Sequence, residues 1–185
     1  MIPGAVSRTA GLESPQPACP LAWGRLIWDV AFEKHLLIDG SNVLRAWPEL
    51  RALERRDRDA ARNRLSDTVR ILHDFEEFRL TLVFDGKGQE VVVEHPSGHE
   101  TFTVVFTPSH LTGDDVIEHL VGQSTDPRTC WVATDDRAER QTVDAVGGSS
   151  LSAAELAEWV DRARVRQSAQ LSGLHERNRQ EWRRK

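Results

Sequence analysis

The sequence predicts an α/β fold in which a mostly parallel sheet lies between layers of helices. Two observations carry that prediction. Four apolar runs are continuous and not alternating, as expected of strands covered on both faces. Helical stretches fall between them, and strands that alternate with helices build parallel sheets.

The first run is HLLID, residues 35–39. Residues 57–78 then place Ala61, Leu65, Val69 and Leu72 on one stripe at steps of three and four, which predicts an amphipathic helix. LTLVFD (80–85) reads as the second strand. EVVVEHPSGHETFTVVF reads as a hairpin before or within the third, TFTVVFT (101–107). Thr112 is placed to N-cap a helix over TGDDVIEHLVG that stops near Gly122. CWVATDD (130–136) is the fourth run, and DDRAERQTVDAVGG predicts a helix ended by Gly147 and Gly148. Ser152 and Glu155 have capping-box spacing at the start of a long C-terminal helix.

This reading divides the chain into an extension (1–33), one domain (34–165) and a basic helical tail (166–185). The extension scatters Pro, Gly and Ser without period and is expected to be poorly ordered, with a short local element at LAWGRLIWDVAF. It lacks a basic region followed by an apolar core, so it does not read as a secretory signal. No apolar run approaches the length of a membrane span, and no membrane partner is expected. Cys19 and Cys130, far apart, suggest free thiols in a reducing cytoplasm. His95 and His99 flank a turn whose spacing alone does not separate a metal pair from loop residues.

Charge is uneven. Residues 162–185 hold eight basic and two acidic residues, +6 net, which leaves −11 on residues 1–161 out of the total of −5. An acidic body with a basic tail hints at polyanion contact, although a solvated helix face would look the same.

The chemistry lies in the carboxylates. Three runs end on aspartate, at Asp39, Asp85 and the pair Asp135 and Asp136. The other leads to Asp114 and Asp115 at a helix start. Each alone reads as a turn residue, an N-cap or a complement to a helix dipole. Together, a parallel sheet brings them to its carboxyl edge, where ligands bind. Two unit charges about 4 Å apart repel by about 1 kcal/mol in water and about 4 kcal/mol at an effective dielectric of 20. Either some carboxylates hold protons or a cation sits among them. Oxygen ligands suit Mg²⁺ or Mn²⁺, and such sites serve phosphodiester hydrolysis by activated water. Asn42 is placed to orient Asp39 or touch a phosphate oxygen. Arg45 and Arg137 are candidate phosphate contacts, and Trp47 a base-stacking or loop-anchoring residue.

LLIDGSNVLRAWPEL, LVFDG, LTGDDVIEHL and VATDDRAERQTVDAVGGSSLSAAELAEWV resemble the YacP-like branch of the NYN-domain family, within the PIN-like nuclease superfamily. The resemblance spans about residues 35–165 in the family's order. It implies a PIN-like three-layer α/β/α fold, a divalent metal site and endoribonuclease activity on RNA, with messenger RNA and the ribosome as partners of some relatives. It also implies that Asp39, Asp85, Asp114 and Asp136 are the catalytic and metal-binding acids, and that Asn42 matches the family's Asn. Gly113 stands where Ala is common, and Asp135 where Ser is common. Asp115 and Asp135 therefore compete with Asp114 and Asp136 for the same roles.

Other classes fit less well. An aspartyl-nucleophile phosphatase wants a second Asp two residues after the first, and position 41 is Ser. A phosphorelay receiver wants paired acids at the first strand end. A non-catalytic RNA- or ribosome-binding module is the main rival. An acidic protein–protein adaptor is another.

Overall fold

The computed structural model describes residues 34–182. The expected extension, its local element and Cys19 lie outside the described residues. The elements run β1 (His35–Asp39), α1 (Gly40–Ala46), α2 (Pro48–Glu54), α3 (Arg58–Glu76), β2 (Arg79–Gly88), β3 (Val92–Glu94), β4 (Phe102–Pro108), α4 (Gly113–Gln123), β5 (Cys130–Ala133), α5 (Arg137–Ala145), β6 (Ser149–Leu151) and α6 (Ala153–Trp182). They form one six-stranded sheet in the order β3-β4-β2-β1-β5-β6. Every pairing is parallel except β3 with β4.

The predicted α/β/α layering is present. Leu36 and Ile38 of β1 face one side, against Val43, Leu50, Leu65, Val69 and Leu156 from α1, α2, α3 and α6. Leu37 faces the other, against Val116, Ile117, Leu120 and Val143 from α4 and α5. Each such fully buried Leu, Ile or Val contributes roughly 1.5–3 kcal/mol relative to exposure, so the sheet is held from both faces. The α3 stripe of Ala61, Leu65, Val69 and Leu72 is buried, and the hairpin is β3 with β4.

Boundaries differ from the sequence reading where a local pattern was overridden. The fourth predicted strand ends at Ala133, not at residue 136. Asp136 instead caps α5, accepting from the Ala138 and Glu139 N–H groups. β2 continues past Asp85 to Gly88 because β4 still pairs with it there. The SSL stretch, left unassigned between two predicted helices, is the short strand β6 beside β5. Gly147, at φ 91°, turns the chain from α5 into it. Asp39 ends β1 and also N-caps α1 through the Asn42 N–H. Pro48 opens α2 at its first position.

α6 runs through residue 165 without a break. Among the described side chains, Ala163 is its last buried one, and every residue from Arg164 to Gly173 is exposed. Among the described residues, no helix is long and apolar enough to cross a membrane.

Candidate metal centre at the sheet edge

β1 delivers Asp39 to the carboxyl edge as its last residue, and Asp39 stays 4% exposed. α4 starts beside it, with Asp114 in its first turn and half-buried. α5 brings a third carboxylate, Glu139, only 2% exposed. One oxygen from each of Asp39, Asp114 and Glu139 lies within 4.8 Å of the others. Neither carboxylate oxygen of Glu139 has a hydrogen-bond partner.

Burial and mutual repulsion act together here. Burial pushes Glu139 up to about 8, and the fields of Asp114, Asp39 and Asp136 push the same way, with the nearby Thr134 hydroxyl opposing. Burial also raises Asp39 to about 6, against the Asn42 N–H and Arg45, and with Asp114 and Asp85 adding to the rise. Asp114 is raised by burial first, then by Asp136 and Asp85. Two buried acids and a half-buried one, all of which resist ionisation, match a hard divalent cation with oxygen ligands.

The other predicted acids surround this trio in different roles. Asp85 Oδ1 accepts from the Gly113 N–H at 3.0 Å, tying the end of β2 to the start of α4. Asp136 commits Oδ1 to the first turn of α5, at 2.7 Å from the Ala138 nitrogen, yet its charge is felt at Asp114 and Glu139. Asp115 turns away: it closes a capping box with Thr112, whose hydrogen bonds hold its carboxyl below the usual range. Asp135 accepts from the Ala153 N–H at 2.9 Å and so caps α6. Asn42 links the two loops, donating its N–H to Asp39 and accepting the Asp135 N–H at 3.1 Å on its side chain.

Among the basic candidates, Arg45 and Arg137 are exposed, and Arg45 helps Asp39 ionise. Trp47 is the loop anchor of the two roles considered: it is 8% exposed and its indole donates to the Ala153 carbonyl at 2.9 Å. His95 and His99 sit on a turn closed by the Gly98 N–H on the His95 carbonyl, where His99 stacks on His73.

Glu139 was not selected from the sequence. An acid three residues after an N-cap reads as a capping-box partner, which normally reaches back to the N-cap N–H. Here the Asp136 N–H is taken by the Thr134 hydroxyl at 3.1 Å. Glu139 also shares a helix face with Asp136, three residues away, and that face meets the sheet edge. The available signal was a Thr two residues before the N-cap.

Comparison with known proteins agrees with this fold. The family model for the YacP-like NYN domain matches residues 36–185. The uncharacterized protein YacP of Bacillus subtilis (strain 168) is 30% identical over 127 residues, covering 68% of this chain and 74% of that protein. The crystal structure of Rae1 (YacP) from Bacillus subtilis superposes with a TM-score of 0.65 at 28% identity, over 78% of this chain and 83% of that one. A single-substitution variant of it gives 0.64 at 26% identity, over 77% and 84%. The chain therefore belongs to the YacP-like NYN-domain family, a nuclease-type α/β domain.

Proposed function

We propose that this protein is a divalent-metal-dependent endoribonuclease that hydrolyses single-stranded RNA in the cytoplasm, with messenger RNA at the ribosome as its substrate. The observation that carries the reading is Glu139, buried, without a hydrogen-bond partner, and within 4.8 Å of Asp39 and Asp114. Metal-free, that arrangement is electrostatically unfavourable; an all-oxygen donor set of this kind fits Mg²⁺ or Mn²⁺.

Asp39, Asp114 and Glu139 would hold the ion. When bound, it supplies a Lewis acid that polarises a phosphoryl oxygen and acidifies water. The chain's own residues do the rest. Asp136, exposed at the rim with one oxygen uncommitted to α5, accepts a proton from an approaching water. Asp85 keeps α4 docked so that Asp114 faces Asp39. Asn42 fixes Asp39 through its N–H, which leaves its side-chain NH₂ as a donor for a phosphate oxygen. Arg137 and Arg45, both exposed, meet flanking phosphates. In-line attack on phosphorus would leave a 5′-phosphate and a 3′-hydroxyl.

The exposed Arg164–Gly173 stretch of α6 supports the ribosome as partner. Arg164 and Arg166 line it, and Val165 is 69% and Leu171 50% exposed. Arginine beside apolar side chains on an exposed helix face suits folded RNA, and such contacts weaken with salt.

The test incubates the purified full chain with labelled single-stranded RNA and Mn²⁺, with and without chelator, beside Asp39→Asn. Cleavage abolished by both is expected. Cleavage that survives both refutes the mechanism, and RNA binding without any cleavage points to a binding module instead.

A further inference from the structure

Asp85 is held from three elements at once. Its N–H donates to the Ser41 hydroxyl of α1 at 3.0 Å, its Oδ1 accepts from Gly113 of α4 at 3.0 Å, and its carbonyl accepts from Arg62 Nη2 of α3 at 2.9 Å. Arg62 splits its guanidinium between two partners, Nη2 on the Asp85 carbonyl and Nη1 on the exposed Asp59 carboxylate at 3.3 Å. Its side chain is 15% exposed. Its guanidinium lies 5.4 Å from the Phe84 ring centre and 5.0 Å from that of Phe106, and those rings stack 5.7 Å apart. Phe84 closes in turn on Gly40, the residue after Asp39, where a Cβ would meet the ring at 2.3 Å. On the far side of the turn, a Cβ at Gly86 would lie 2.1 Å from the Thr107 carbonyl oxygen. The peptide after Asp85 is thus closely flanked, its N–H end donating to the Thr107 hydroxyl at 3.3 Å, and Arg62 supplies the side-chain bond to its carbonyl.

We propose that Arg62 is a positioning residue for the acidic site. It fixes the Asp85–Gly86 peptide, so the Asp85 carboxylate keeps the start of α4 in place and Asp114 turned toward Asp39 and Glu139. A planar guanidinium stacked beside two rings is oriented for this bond in a way that a lysine ammonium is not. The consequence for cleavage rests on the nuclease reading; the consequence for geometry does not.

The experiment uses the full chain with Arg62→Met, which keeps an apolar stem on the rings, and Arg62→Lys. Backbone amide exchange at Gly113 is compared with exchange at Val132 in β5. Mn²⁺ affinity and RNA-cleavage kinetics are measured on the same samples. Arg62→Met is expected to speed Gly113 exchange about tenfold with Val132 unchanged, and to lower Mn²⁺ affinity and kcat about tenfold with KM for RNA unchanged. Arg62→Lys should fall between. Unchanged Gly113 exchange overturns the proposal, as does equal acceleration at Val132, which means general destabilisation. A raised KM with kcat and exchange unchanged overturns it too, and makes Arg62 a substrate contact. Faster Gly113 exchange in a protein that never cleaves RNA leaves the positioning role standing and removes the nuclease reading. If Arg62→Met does not fold, Arg62→Lys carries the same exchange comparison.

Discussion

The starts of α4 and α5 use the same local grammar and reach opposite ends. Each has an oxygen-bearing N-cap and an acid three residues later. At α4, Thr112 and Asp115 close a reciprocal capping box, and Asp115 is exposed and easily ionised. At α5, Asp136 caps the first turn, but its own N–H goes to Thr134 and leaves Glu139 with nothing to reach back to. Packed at the sheet edge beside Asp39 and Asp114, Glu139 is buried, unpartnered and reluctant to ionise. One competing hydroxyl two residues upstream, together with burial, turns a capping acid into a candidate metal ligand.

Substituting Glu139 breaks the comparison most directly. Since disturbing groups that merely orient ligands already costs about 10–100-fold, Glu139→Gln is expected to lower Mn²⁺-dependent RNA cleavage by roughly 100-fold or more. Circular dichroism should show the fold intact, and wild-type-like cleavage by Glu139→Gln would remove it from the site.

Next in size is the pH dependence of stability. Glu139 is raised from 4.5 to about 8 and Asp39 from 3.8 to about 6 in the folded state. Their contribution is full below the unfolded values and is lost as pH rises through the folded ones. In chelator, denaturant unfolding should therefore show these groups' share of stability, on the order of a few kcal/mol, disappearing between about pH 4 and pH 8. Mn²⁺ should restore more stability at pH 8 than at pH 6, because the ion competes with protons for the same oxygens. A metal effect independent of pH would contradict this.

Thr134→Val sharpens the contrast from the other side. Removing the hydroxyl frees the Asp136 N–H, and Glu139 should then swing back to it as Asp115 does at α4. Cleavage should fall about tenfold, the range of a lost orienting contact. A crystal structure showing Glu139 still facing Asp39 would defeat the explanation.

The smallest effect belongs to the exposed acid. Asp115→Ala should cost about 1 kcal/mol of stability, as lost caps do, and change cleavage less than about threefold. A cleavage loss as large as that of Glu139→Gln would mean that Asp115 belongs to the site after all.

Continuous apolar runs around Leu36–Ile38 and Leu80–Phe84 announced strands covered on both faces, and the α3 stripe announced its buried side. The edge on which the acids gather followed from parallel pairing. What local pattern could not give was the direction of each carboxylate. Asp85 and Asp135 look like Asp39 in sequence, each closing or following an apolar run. In the structure all three commit one oxygen to a helix start, Asp39 to Asn42, Asp85 to Gly113 and Asp135 to Ala153, and what sets Asp39 apart is that it also lies within 4.8 Å of Asp114 and Glu139.

By itself, the sequence determined the layered α/β order, the buried face of each element and the rim where negative charge collects. Those follow from hydrophobic periodicity and chain connectivity, which are local. Only the tertiary structure decided which acids face one another. That choice depends on which backbone N–H groups remain free at each helix start after distant strands and loops have packed, and on how much water packing leaves around each carboxylate.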